Sequence, residues 1–147
     1  MVISFFGHAD FSSSENVENS IKKLFTKLKK VDKVEFYLSG YGAFSDFAYK
    51  KCVEFKNNHH NVKIIFITPY LDSYLENRKD SLRSLYDEII FPTIENTPKK
   101  FAIIKRNEWI VDNSNLIVFY VNRSFGGASK VLTYAKRKKK DFVNLAT

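Results

Sequence analysis

The sequence predicts an α/β protein, a three-layer sandwich in which helices cover both faces of a mostly parallel sheet. Three observations predict it. Apolar runs of strand length alternate with segments whose apolar residues recur every three to four positions. Most runs are apolar at consecutive positions, as in strands covered on both faces. All five glycines follow a predicted strand, and none falls inside a helical pattern.

The elements follow in order. "VISFF" (2–6) is the first strand, and Ser12 with Glu15 has the spacing of a capping box before a helix carrying Val17, Ile21, Leu24, Phe25, Leu28 and Val31. "VEFYL" (34–38) is the second strand, followed by a helix marked by Phe44, Phe47, Ala48, Cys52 and Phe55. "VKIIFI" (62–67) is the third, and the less regular stretch 70–86 reads as a short helix within a longer loop. "EIIF" (88–91) is the fourth, and residues 98–112 form a helix with Pro98 near its first turn. "NLIVFYV" (115–121) is the fifth, Ala128, Val131, Leu132 and Ala135 mark a last helix, and "DFVNL" (141–145) is a sixth strand. With no internal repeat and no linker, residues 1–147 read as one domain.

Composition narrows the class. A chain 44% hydrophobic and 27% charged reads as soluble and globular. No apolar run approaches the ~20 residues that span a bilayer, so no membrane partner is expected. The N-terminus lacks a basic stretch and a cleavage site, and reads as a strand rather than a signal peptide. A single cysteine, Cys52, allows no internal disulfide and fits a cytoplasmic protein. Its helical pattern marks a buried structural thiol rather than a nucleophile. Much of the net charge of +8 lies in the run 136–140 and on Lys22, Lys23, Lys27, Lys29 and Lys30, which read as solvated faces. The remainder is a general attraction for phosphate-bearing molecules. His59 and His60 read as exposed loop residues. No His, Cys or carboxylate set has metal-ligand spacing, so neither a metal nor a cofactor is expected.

In a parallel sheet of this kind ligands bind beyond the carboxyl ends of the strands, where strand order reverses. The residues expected there are Gly7, His8, Asp10 and Ser12 after the first strand, and Ser39, Gly40, Tyr41, Gly42 and Asp46 after the second. Thr68, Pro69 and Tyr70 follow the third, and Gly126 and Gly127 the fifth. Backbone amides with hydroxyls suit a phosphate, aromatic rings a base, and a carboxylate the hydroxyls of ribose. Together they describe a nucleotide-like ligand. Each residue also has a structural alternative: Gly7 a turn, His8 a hydrogen-bonding residue, Asp46 a carboxylate offsetting a helix dipole, Tyr41 and Tyr70 core-edge aromatics.

The ordered segments "FFGHADF", "LSGYGAFSDFAY", "IFITPY", "YDEIIFP", "RNEWIVDNSNLIVFYV" and "FGGASKVLTYAKRKKKDFVNL" run nearly end to end. With them the chain resembles small single-domain bacterial proteins of the SLOG superfamily, Rossmann-like relatives of LOG and DprA. The resemblance implies a Rossmann-like fold with a site for nucleotides or their derivatives. Some members of the superfamily, the LOG enzymes, cleave nucleoside monophosphates at the N-glycosidic bond; others sense nucleotide signals or bind DNA. It implies a phosphate-binding role for Arg106, eight residues before Ser114, and for the loop that overlays the P-G-G-x-G-T-x-x-E segment of the LOG enzymes. There Gly126 and Gly127 match the glycine pair, Phe125 replaces the proline, Ser129 the third glycine and Lys130 the threonine. Thr133 stands where the glutamate belongs.

Glycosidic cleavage needs a carboxylate to stabilise a ribosyl cation or activate water, and Thr133 supplies neither. The expectation is therefore a nucleotide-binding module or sensor. The alternatives are a nucleoside 5'-monophosphate N-glycosidase with Asp10 or Asp46 as its carboxylate, and single-stranded nucleic-acid binding through the basic helices. A homo-oligomer is expected, with Trp109 and the aromatic-rich segment 101–111 as either its surface or part of the core.

Overall fold

The computed structural model describes residues 1–69, 80–92 and 97–147, so Tyr70 and most of the stretch 70–86 lie outside the described residues. Six strands form one parallel sheet: β1 (Val2–Gly7), β2 (Val34–Leu38), β3 (Val62–Ile67), β4 (Glu88–Ile90), β5 (Leu116–Tyr120) and β6 (Phe142–Asn144). Their spatial order is β4-β3-β2-β1-β5-β6. Between them run α1 (Glu15–Leu28), α2 (Ala43–Asn57), α3 (Ala102–Asp112) and α4 (Gly127–Arg137). Residues 80–85 are also helical.

The consecutive apolar residues of the strands serve two cores. Ile3, Phe5, Phe36, Leu38, Ile64 and Val118 pack on one face with Ile21 and Leu28 of α1 and Phe44, Ala48 and Cys52 of α2. Phe6, Tyr37, Ile65, Ile67, Ile117 and Phe119 pack on the other with Ile110 and Val111 of α3 and Val131 and Ala135 of α4. Adjacent residues of one strand face opposite sides, so a strand covered twice is apolar throughout.

The sheet grows outward from β1 to β4, and the chain then returns to lay β5 against the other side of β1. Strand order reverses between β1 and β5, and the crevice beyond their ends is where such sheets take ligands. Asn144 of β6 secures the exit of β5: its side-chain oxygen accepts from the Val121 amide at 3.0 Å, and its side-chain nitrogen donates to the Val121 carbonyl at 2.9 Å.

Several local expectations need correction. The cap of α1 is Ser14, in extended conformation, whose hydroxyl accepts from the Val17 amide at 3.3 Å. Glu15 is thus the first helical residue and makes no box with Ser12. Pro98 has ψ 145 and stands before a 3₁₀ turn, Lys99–Phe101, so the α-helix begins only at Ala102. His59 is no loop ornament: its ring stacks on Phe55 at 4.2 Å and its Nδ1 lies 3.0 Å from the Phe55 carbonyl oxygen. Trp109 is half-buried and stacks on Tyr37 at 5.8 Å. Within the basic run, Lys140 donates to the backbone carbonyls of Asp112 and Ser114, tying it to the end of α3. Cys52 is fully buried, and burial pushes its thiol well above the ordinary value, which leaves it protonated and unreactive.

Candidate functional site

At the tips of β1, β2 and β5 a cleft of about 550 Å³ opens, within the usual size of a small-molecule site. Of the expected residues, Gly7, His8, Ser39, Gly40, Tyr41, Pro69, Arg106, Gly126 and Gly127 line it. Thr68 is wholly buried at the end of β3, and Ser129 lies on α4 outside the lining. Asp46 is exposed in the first turn of α2, where a carboxylate complements the helix dipole. Asp10 sits just outside the lining, where its carboxylate accepts from Arg123 at 3.1 Å.

Arg123, Ser45 and Asn107 line the cleft although sequence reasoning passed them over. Arg123 had one signal available: it stands three residues before Gly126 on the same loop. Ser45, buried in α2, accepts from the Gly40 amide at 3.2 Å and shapes the β2 tip.

The glycines separate into two kinds. A Cβ on Gly7 would run into the Phe44 ring, one on Gly40 into Phe66, and one on Gly42 would come 2.9 Å from the Ala9 backbone. These three are packing glycines. Around Gly126 and Gly127 a Cβ would meet nothing within 4 Å among the described residues. Gly126 has φ +96, a conformation that side chains disfavour, and it caps α4 with no side-chain hydrogen bond. The first turn of α4 therefore opens into free space with its amides and positive dipole end available to an anion.

Two guanidinium groups face this region. Arg106, buried in α3, donates from Nη1 to the Ile67 carbonyl at 2.9 Å and from Nε to Asn107 at 2.8 Å. These bonds fix it across the end of β3. Arg123 is a third exposed and stacks on Phe125 at 5.0 Å. Apolar wall comes from Phe5, Phe66, Ile103 and Val131. No Asp or Glu lines the cleft among the described residues.

A second groove, about 590 Å³, lies between α1 and α2 and includes Phe25, Phe55 and His59. It is marginally larger but lies on the helix flank, away from the strand tips. Its Lys51 is already paired with Glu18 at 2.6 Å. The strand-tip cleft is the candidate site.

No family model and no curated protein matches the chain. Among solved structures it is similar to DNA processing protein A of Helicobacter pylori, described for its single-stranded DNA binding mode. The TM-score is 0.63 and the identity 14%, over 97% of this chain and 63% of that one. It is similar also to DprA of Streptococcus pneumoniae, with TM-score 0.61 and 11% identity over 95% and 48% of the two chains. The Moco carrier protein of Chlamydomonas rheinhardtii matches with TM-score 0.52 and 16% identity over 99% and 76%. The chain shares the fold of these proteins. At these identities the likeness is one of fold, and the chain spans less than two thirds of either DprA protein.

Thr133 is exposed on α4, and its hydroxyl donates to the Ser129 carbonyl at 3.2 Å. No helix among the described residues is long and apolar enough to cross a membrane.

His8 ties the two central strand tips together. The Asn122 amide donates to its Nε2 at 3.1 Å, which assigns the proton to Nδ1, and its ring meets Tyr120 edge-on at 6.2 Å. Burial, and next the Arg123 charge, hold the imidazole below its ordinary value of 6.5, against the opposing pull of Asp10. Between that depressed value and 6.5 the unfolded chain binds the extra proton, so stability rises with pH there and falls on acidification. The melting temperature is expected to drop between pH 7.5 and 5.5. In His8→Gln, which keeps an acceptor for Asn122 but does not titrate, that drop is expected to shrink. Equal drops would remove His8 as the cause.

Proposed function

We propose that the chain binds a nucleotide or nucleotide-derived ligand in the strand-tip cleft, as a binding module or sensor with little turnover. One observation carries this reading: the cleft holds two guanidinium groups, and the open glycine-capped start of α4, with no carboxylate among its described lining residues. Such a site favours an anion, and the apolar wall beside it favours a flat base. Arg106, Gly126 and Gly127 are assigned to the phosphate end, His8, Ser39 and Gly40 to the polar middle, and Tyr41 and Pro69 to the rim.

Thermal denaturation with a panel of nucleoside mono-, di- and cyclic dinucleotides tests it. A ligand at 100 times its dissociation constant stabilises by about 2.7 kcal/mol, which for a domain of this size raises Tm by roughly 5–11 °C. Gly127→Ala is expected to leave the unliganded Tm within about 2 °C, because the added methyl meets nothing. The same substitution is expected to reduce the ligand-induced rise. A flat response across the panel would refute the reading.

The glycosidase reading is weaker, since the cleavage step needs a carboxylate and none stands among the described residues of the cleft wall. Single-stranded nucleic-acid binding gains one observation: Tyr41 and Phe125 are 80% and 67% exposed at the loops bordering the cleft, as stacking platforms require. The H. pylori relative's described single-stranded DNA binding points the same way. This reading predicts oligonucleotide affinity that falls steeply with salt and drops when Tyr41 or Phe125 becomes alanine.

A further inference from the structure

We propose that Asp10 is an internal occupant of the anion site: its carboxylate holds the Arg123 guanidinium in the unliganded protein and yields it to the ligand phosphate. The proposal rests on the reading of the cleft as a nucleotide site, and it makes Arg123 the residue that recognises phosphate and Asp10 the residue that limits its affinity.

The geometry of Arg123 motivates it. The residue lines the cleft on the loop that leads into Gly126 and Gly127. Its Nη1 meets Asp10 Oδ2 at 3.1 Å, a one-point contact. Its Nε is buried and has no hydrogen-bond partner among the described residues. A guanidinium presents Nε and Nη2 as a planar fork that suits two oxygens of one anion, and the Asp10 contact, made through Nη1, leaves that fork to another acceptor. Buried donors in folded proteins are nearly always satisfied, so an orphaned Nε beside an open cleft with no carboxylate among its described lining residues marks a place for an incoming acceptor. The Arg123 guanidinium lies over the Phe125 ring, 5.0 Å from its centroid, a contact that favours the cation there.

The Asp10 contact is built to be given up. The carboxylate side chain is 71% exposed, and exposed ion pairs are weak and screened. Released, Asp10 returns to water at little cost. Arg106 cannot play the same part, because it is buried in α3 and held by Ile67 and Asn107.

The test uses inorganic pyrophosphate and AMP as probes, with dissociation constants measured by isothermal titration calorimetry at fixed salt. Asp10→Asn keeps the shape and removes the competing charge, and is expected to bind both probes roughly 2–5-fold more tightly. Arg123→Gln is expected to bind them roughly 10–100-fold more weakly. In the double variant the Asp10→Asn gain is expected to vanish, because no guanidinium remains to be freed. Weaker binding by Asp10→Asn would make Asp10 a direct ligand contact and overturn the proposal. An undiminished gain in the Arg123→Gln background would reduce Asp10 to a remote field effect, with the same consequence. AMP binding that ignores both substitutions would leave the nucleotide reading standing and this inference refuted. Pyrophosphate binding with the expected pattern, and AMP no tighter, would do the reverse. Failure of both probes to bind either wild type or Asp10→Asn would end both.

Discussion

Phe44→Ala is expected to lower the unfolding free energy by about 3–5 kcal/mol, the usual cost of emptying a large aromatic site in a closed core. Phe44 is the second residue of α2 and is wholly buried. Its ring packs edge-on to Phe11 at 5.1 Å, beside Phe47 at 6.0 Å, and stacks on Tyr120 at 6.3 Å. It also fills the space above Gly7 that a methyl would need. The loss therefore includes the support beneath the β1 tip from which His8 and Asp10 leave. Urea denaturation measures it as a shift in midpoint at unchanged slope. The same contact is accessible from the other side. Gly7→Ala is expected to destabilise the wild-type protein, and to cost less in Phe44→Ala, where the ring atoms are gone and the Phe44 Cβ, 2.7 Å from the new methyl, remains. Additive effects would show that the ring does not explain the glycine.

Arg106→Met is expected to act on stability and on binding together. It removes the donor that meets the Ile67 carbonyl at 2.9 Å inside the protein, at a cost of about 1–3 kcal/mol. Methionine keeps much of the length and apolar volume, so the loss reports the polar contact rather than a cavity. Under the nucleotide reading, binding is expected to fall at least 10-fold, because the cleft loses a charge and the end of β3 loses its brace. Arg106→Lys is not expected to rescue either effect, since an ammonium cannot reproduce a guanidinium bonded to Ile67 and Asn107 at once. The contrast with Arg123→Gln is diagnostic: that substitution touches a partly exposed side chain and is expected to change affinity with little change in Tm. If Arg106→Met melts like the wild type, its buried hydrogen bond contributes nothing net.

Much of this molecule was legible before any coordinates. Consecutive apolar residues such as Phe5 and Phe6, or Ile64 and Ile65, announced strands covered on both faces, because each side chain needs its own core. The helical spacing of Val17, Ile21 and Leu28 located α1, because one stripe must face the sheet. Loop glycines after strands, together with the general rule for parallel sheets, directed attention to one edge.

Where the sequence ran short, the reason was distance along the chain. Composition could not separate Gly7, Gly40 and Gly42 from Gly126 and Gly127, because a packing glycine is defined by the ring or backbone opposite it. The spacing of Ser12 and Glu15 suggests a cap at Ser12, and only the backbone shows that Ser14 is the extended residue hydrogen-bonded to its third neighbour. His59 continues the spacing of Ala48, Cys52 and Phe55 but lies beyond the end of α2, so its stack on Phe55 depends on how that helix ends.

The sequence by itself determined the alternation of elements, the two-sided core and the absence of a glutamate at Thr133, for these depend on near neighbours or on residue identity alone. The tertiary structure decided the strand order that opens the crevice between β1 and β5. It also decided the juxtaposition of Asp10 with Arg123, 113 residues apart, and the commitment of Arg106 to Ile67. Periodicity records which face of a segment is apolar, whereas pairing between distant segments is chosen by the packing of the whole sheet.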